Sequence, residues 1–386
     1  MRARTLLALG FRPFYLLAGL TAVLGILMWL LSYTGKAQFG TYLQGVFWHS
    51  HEMMFGFVAA AMTGFLFTAV RNWTGLPTPV GAVLGLIALL WIMARVLLFS
   101  GPASLAVAVD LAFLPAVAVG VALPILRSRN KRNYKVLGIL VALCTLHFVY
   151  HLALAGKLPA WLSRTSLFAA IDTVVILFAL IGGRVIPAFT RNAVPGSDPV
   201  HKQWLEVCAF GLLLLIAAMT LMGGSVALTP WVPTTLLLLA AAAHALRLAY
   251  WQPQLTLNNP LLWMMPVAYS WLPLALLLRG LSSFAIVVPG TWIHALTAGA
   301  LSSLIVAMMM RSGLGHTGRK LIASRADVAS FLLLQIAAIL RVVAGMTGSY
   351  RAVVISSGVV WILAFLVFLL RYAPMLLRPR VDGRPG

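Results

Sequence analysis

Six of the eight histidines in this 386-residue chain fall inside or at the ends of apolar stretches: His49, His51, His147, His151, His244 and His294. Three carboxylates, Glu52, Asp110 and Asp172, lie in similar surroundings. Ionisable groups are costly within a bilayer and face protein or water when they occur there, so each marks a candidate site. His147 and His151 are four residues apart, which places their imidazoles about 40° from each other on one helix face, with Cys144 on the same stripe. Such a pair can chelate copper, zinc or iron. His49 and His51 are two apart, and a regular helix turns them about 160° from one another. Either the helix unwinds there, or the two rings address different centres on opposite sides of the helix. Glu52, three residues after His49, is placed to orient a ring or to move protons.

A single membrane histidine is as readily an interhelical hydrogen-bond partner as a ligand. His49, His51, His147, His151 and His294 all fall, by depth along their spans, in the outer half of the membrane, and that convergence points to a metal or haem site; His244 stands alone in the inner half. A competing reading makes the histidines, Glu52, Asp110 and Asp172 the proton relay of a transporter. Arg95, Arg164 and Arg341 lie near outer helix ends, where they either partner haem propionates or snorkel to lipid phosphate. His201 and His316 fall in polar loops, and Met308 to Met310 reads as packing, with Met53 the better soft-ligand candidate. No phosphate-cradling loop, Ser/His/Asp triad or paired CxxC motif is present, which disfavours the enzyme classes tied to them.

The elements that must position these groups are membrane helices. The chain is 62% apolar and 9% charged, outside the range of soluble domains. Apolar runs of about 20 residues predict an all-α, polytopic bundle of about twelve spans. They cover about 14–34, 48–70, 78–99, 103–126, 135–155, 161–183, 203–222, 231–251, 258–279, 287–310, 327–347 and 351–371. We expect one transmembrane domain over residues 1–386, with the first apolar run retained as a helix. The second, sixth and tenth spans share a loose pattern of a polar outer side and a basic inner end, a hint of internal repetition. The formal charge of +21 is a topology signal: about three-quarters of the 28 Lys and Arg fall on the side of the termini, which predicts both ends in the cytoplasm. Membrane lipids are the expected partner of this charge, and nucleic acid is not. Cys144 and Cys208 both lie inside spans, so no disulfide is expected.

The segments GFRPFYLLAGL at 10–20, WHSHEMMFGFVAAAMTGFLFTAVRNWTG at 48–75, GGRVIPAFTRNA at 182–193 and GHTGR at 315–319 resemble those of the NnrS family of bacterial membrane proteins. The resemblance spans nearly the whole chain. It implies a twelve-helix protein of the bacterial inner membrane that contains haem, expected as b-type, and copper, and that serves denitrification and the response to nitric oxide and nitrosative stress. On that footing His49 and His51 flank two centres that His147, His151 and His294 complete, with His244, Arg95 and Arg341 as further cofactor contacts. Reduction of nitric oxide (2NO + 2H⁺ + 2e⁻ giving N₂O and water) requires a proton path, for which Glu52, Asp172 and Asp110 are the available carboxylates, and a quinol or other electron donor. The expected function is thus a redox metalloprotein that reduces, binds or senses nitric oxide, with an oxidoreductase resembling nitric oxide reductase as the leading form and a proton-coupled transporter of a solute or metal as the alternative.

Overall fold

The computed structural model describes residues 2–40, 42–223, 229–347 and 349–384. Among the described residues, twelve helices are long and apolar enough to cross a membrane: α1 (Phe11–Tyr33), α2 (Gly45–Thr74), α3 (Gly81–Ser100), α4 (Ala103–Arg127), α5 (Lys131–Leu154), α6 (Trp161–Ala193), α7 (Gln203–Leu221), α8 (Trp231–Tyr250), α9 (Pro260–Ser282), α10 (Pro289–His316), α11 (Arg325–Met346) and α12 (Tyr350–Leu376). No strand occurs among the described residues. The protein is an all-α, multi-pass membrane protein. In hydrocarbon a helix satisfies its own backbone donors and acceptors, so apolar composition and helix formation coincide.

Local signals set several helix ends. Ser324 and Asp327 form a reciprocal capping box at the start of α11, and Asn259 accepts from the Leu261 amide at 3.1 Å ahead of α9, whose first residue is Pro260. Gly75, at φ 68°, closes α2 in the left-handed region. The helices that deviate most from their apolar runs are α6 and α10. They continue to Ala193 and His316, past the ends near 183 and 310 that hydropathy marks. Hydropathy reports transfer to lipid, whereas a helix propagates through polar residues as long as its backbone bonds close.

Three spans stand apart. The best apolar windows of α2, α6 and α10 are 83%, 89% and 72% buried, and these are also the three longest helices. α2 and α10 each contain one stretch of π-helix, Glu52–Val58 and Ala295–Leu301, directly after His51 and His294. A π-turn widens the helix and re-aims the side chains beside it, and such turns recur at functional sites.

The chain packs as two compact units. The first holds Met1–Ala170, Arg311–Leu321 and Phe365–Gly386; the second holds Ile171–Met310 and Ile322–Ala364.

Candidate metal centre

Four side chains of the first unit meet at one point: His51 from α2, Asp110 from α4, and His147 and His151 from α5. All are buried, at 0%, 2%, 1% and 2% exposure. The Nε2 atom of His147 lies 3.1 Å from those of His51 and His151. The Oδ2 atom of Asp110 lies 2.9, 3.0 and 3.1 Å from the Nε2 atoms of His51, His147 and His151. Five of the six distances among these four donors therefore lie between 2.9 and 3.1 Å, and all four donors fall within 4.8 Å of one another. A tetrahedron with metal–ligand bonds of about 2.0–2.1 Å has edges of roughly 3.3 Å, so the spacing is close to that of a four-coordinate site. Protons alone satisfy such a group poorly. Each neutral imidazole carries one N–H, and three rings aimed at one another through Nε2 leave N–H against N–H or lone pair against lone pair on some edges.

The second nitrogens support the same geometry. His51 Nδ1 is 3.2 Å from Glu52 Oε1, and an ionised carboxylate accepts, so Nδ1 carries the proton and Nε2 presents its lone pair inward. His151 Nδ1 is 3.3 Å from the Tyr42 hydroxyl, whose ring stacks on the imidazole. His147 Nδ1 has no partner among the described residues, and Phe55 holds this ring by stacking at 3.9 Å between centroids. Arg95 from α3 pairs with Asp110 Oδ1, which leaves Oδ2 to face the imidazoles, and its Nε is 3.5 Å from Glu52 Oε2.

Local sequence explains the convergence. His147 and His151 project together because α5 is regular across them. α2 is likewise regular from Gly45 to His51, so His49 points away from His51; it lies outside the four-donor group, and its ring stacks on Trp29 at 4.5 Å. The π-turn then begins at Glu52 and includes Gly56, where a Cβ would sit 3.0 Å from Arg95 Nη1 and 3.1 Å from Glu52 Oε2. Glycine leaves room there for the guanidinium. Cys144 is half-buried and is not among the four donors.

The remaining sequence candidates lie elsewhere. Asp172 of α6 binds Arg279 of α9 at 2.6 and 3.3 Å and accepts from the Thr220 hydroxyl of α7 at 2.6 Å. His244 of α8 is buried, its Nδ1 2.7 Å from the Tyr269 hydroxyl. Arg247 donates to that same hydroxyl at 2.6 Å and forks Glu206 at 2.7 and 2.6 Å. Because a guanidinium only donates, Tyr269 accepts from Arg247 and gives its own proton to His244 Nδ1. His294 Nδ1 donates to the Gly290 carbonyl at 2.7 Å, which leaves Nε2 as its lone-pair nitrogen. Arg341 reaches the Tyr350 hydroxyl at 3.4 Å in an exposed setting, and Arg164 covers the Phe168 ring. Arg95, expected from its depth beside a haem propionate, is instead engaged by Asp110 and Glu52.

Sequence reasoning missed Tyr42, which lies in a loop, and the pairings Arg279–Asp172 and Arg247–Glu206. Arg247 reads as a topology charge in the sequence, yet it is 2% exposed. Its signal was the GG of GGRVIP: a Cβ on Gly183 would fall 2.1 Å from Arg247 Nη2, and one on Gly182 would press the Tyr269 ring at 3.0 Å. In GFRPF, Arg12 is fully buried and donates to the carbonyls of Leu376 and Arg378 at 2.9 and 2.8 Å.

No curated protein matches the chain. The family model described as NnrS protein matches residues 5–380, nearly its whole length. The match covers the helices that carry the four-donor group, and the chain belongs to the NnrS family.

Proposed function

We propose that this protein is a copper- and haem-containing membrane protein that binds nitric oxide and reduces it to nitrous oxide, protecting against nitrosative stress during denitrification. The observation that carries the reading is the convergence of three imidazoles and one carboxylate within 4.8 Å of one another, buried and held from behind by Glu52, Tyr42 and Arg95. Imidazole-rich sites with one oxygen donor suit copper as well as zinc and iron, and the family resemblance selects copper. When bound, copper supplies one-electron chemistry and a site for a small diatomic ligand.

The haem is assigned to the imidazoles outside the four-donor group. His294 fits: with Nδ1–H fixed on the Gly290 carbonyl, Nε2 is the nitrogen that an iron takes. His49, turned from His51 and resting on Trp29, is the second candidate. His244 is less suited, because its Nδ1 accepts from Tyr269 and its proton therefore sits on Nε2.

The residues of the chain supply orientation and protons. Glu52 fixes the His51 tautomer and is the carboxylate closest to the centre that is not itself a donor in the group, so we assign it proton delivery. Asp110 is assigned as a ligand. Asp172, closed by Arg279 and Thr220, is assigned a structural role. We place both termini in the cytoplasm on the charge bias, and the protein in the bacterial inner membrane, with a quinol or similar donor for the electrons, on the family resemblance. The transporter alternative has less support, since Asp172 and Asp110 are both held by arginine at hydrogen-bond distance.

The visible spectrum of the purified protein, followed by anaerobic turnover with a quinol, tests this. We expect a Soret band that shifts when nitric oxide is added to the reduced protein, and nitrous oxide as product. A colourless preparation free of metal sinks the proposal; a shifting band without nitrous oxide restricts it to binding.

A further inference from the structure

The GHTGR segment and the end of the chain, which the metal centre does not use, are built against each other within the first unit. The Gly318 amide donates to Gly315 at 3.1 Å and the Arg319 amide to Leu314 at 2.9 Å, with Gly318 at φ 76°: the paired bonds of a glycine-terminated helix. The tail returns over this turn. The Val381 amide donates to the Thr317 carbonyl at 3.2 Å, and Arg380 donates to the His316 carbonyl at 3.0 Å while forking Asp382 at 2.9 and 2.6 Å. A Cβ on Gly318 would lie 2.7 Å from the Asp382 carboxyl carbon, so the turn and the tail both require glycine.

The result is a dense patch of cations. Residues 311–321 and 365–386 carry seven Lys and Arg against one carboxylate, Asp382. Arg380 holds that carboxylate, lowering it to about 2. Arg12 and Arg380 are occupied by helix-end carbonyls, a role suited to cations at the negative end of the helix dipole. Arg319 has one long contact, 3.5 Å to the Thr317 carbonyl, and Arg378 has no side-chain partner among the described residues. Partial burial, then the neighbouring Arg371 and Arg378, lower the Arg319 guanidinium. Apolar side chains interleave with these cations: Leu321, Leu377 and Val381 are 42%, 36% and 62% exposed. A soluble anion gains nothing from them, whereas acyl chains below a phosphate do.

The geometry points to a binding site for an anionic phospholipid at this end of the first unit, with Arg319 and Arg378 on the phosphate, Lys320 beside it, and Leu321, Leu377 and Val381 along the chains. The site is independent of the metal reading. A general attraction of basic loops for anionic lipid would make the loop containing Lys131 and Arg132 equivalent, and that loop supplies the control.

The test is native mass spectrometry of the full chain in detergent, titrated with dioleoyl phosphatidylglycerol and, in parallel, dioleoyl phosphatidylcholine. The wild type is expected to retain phosphatidylglycerol preferentially. Arg319→Gln/Arg378→Gln should weaken that binding about 30-fold, as removal of two headgroup-facing charges implies. Arg319→Lys/Arg378→Lys should keep most of it, and Lys131→Gln/Arg132→Gln should change it less than threefold, all with unchanged melting temperature. Equal losses in the two Gln pairs, equal retention of both lipids by the wild type, or displacement of phosphatidylglycerol by millimolar inorganic phosphate would each overturn the lipid site.

Discussion

Asp110 in the first unit and Asp172 in the second are each buried against an arginine and have little else in common. Asp110 pairs with Arg95 through one oxygen and turns the other toward three imidazoles. Asp172 pairs with Arg279 through both oxygens, and the Thr220 hydroxyl closes the remaining direction by accepting from Arg279 at 2.7 Å while donating to Asp172 at 2.6 Å. Arg279 also lies over the Trp292 ring at 4.5 Å, as Arg95 lies over Trp91 at 5.5 Å. The same ion pair on the same kind of aromatic face is thus open to a ligand in one unit and closed in the other. A buried charge is not by itself a functional site; the deciding feature is whether donor lone pairs remain once every partner is counted.

The comparison is broken most severely by removing the ligands. His147→Ala/His151→Ala should abolish metal binding at the first unit while circular dichroism shows the helices intact, with metal content measured by mass spectrometry of the acid-digested protein. Asp110→Asn and Asp172→Asn form the next pair. The first should lose the metal, whereas the second should keep it and lose about 3–5 kcal/mol of stability, because Arg279 is left buried without its carboxylate. Thermal melts and metal content together separate the two outcomes, and equal effects on both readouts would erase the distinction drawn here. Glu52→Gln should be milder than any ligand change. It leaves four donors in place but loosens the His51 tautomer, so affinity should fall about 10–100-fold in a chelator competition while stoichiometry at saturating metal stays the same.

Much of this arrangement was legible in the sequence, and the gaps have physical reasons. The twelve spans follow from apolar length, since bilayer thickness imposes one scale on every crossing. The His147/His151 pair follows from helical periodicity, and the divergence of His49 from His51 follows from the same rule. Asp110 was visible as a costly intramembrane carboxylate, but its place beside the imidazoles depends on how α4 packs against α2 and α5, and no local spacing encodes that. The pairing of Arg95 with Asp110 and Glu52 was not legible, because depth along a helix gives distance from the membrane surface and not direction around the axis. Tyr42 carries no periodic signal at all. The pairings of Arg279 with Asp172 and of Arg247 with Glu206 depend on how the helices pack, and no local spacing encodes them.

A smaller change sharpens the picture of the Arg247–Glu206 pair of the second unit as structural. Gly183→Ala places a methyl against the Arg247 guanidinium, 2.1 Å from Nη2, and should cost about 1–3 kcal/mol in the thermal melt with metal content unaltered. Loss of metal in that variant would tie the Arg247–Glu206 lock to the centre and weaken the contrast between the units. The smallest effect concerns the tail. The Asp382 carboxyl, lowered to about 2 by Arg380, keeps the tail latched above its ordinary value near 3.8 and releases it as pH falls through about 2. Hydrogen exchange at the Val381 amide should therefore stay slow at pH 4 in the wild type and quicken at the same pH in Asp382→Asn.

X-ray absorption at the copper edge of the purified protein tests the central claim most directly. Three imidazole nitrogens and one oxygen at about 2.0 Å are predicted, with the multiple-scattering pattern of the rings falling to one imidazole in His147→Ala/His151→Ala if any copper remains. A sulfur shell, or a spectrum unchanged by that double substitution, would contradict the assignment of His51, Asp110, His147 and His151 as the metal centre.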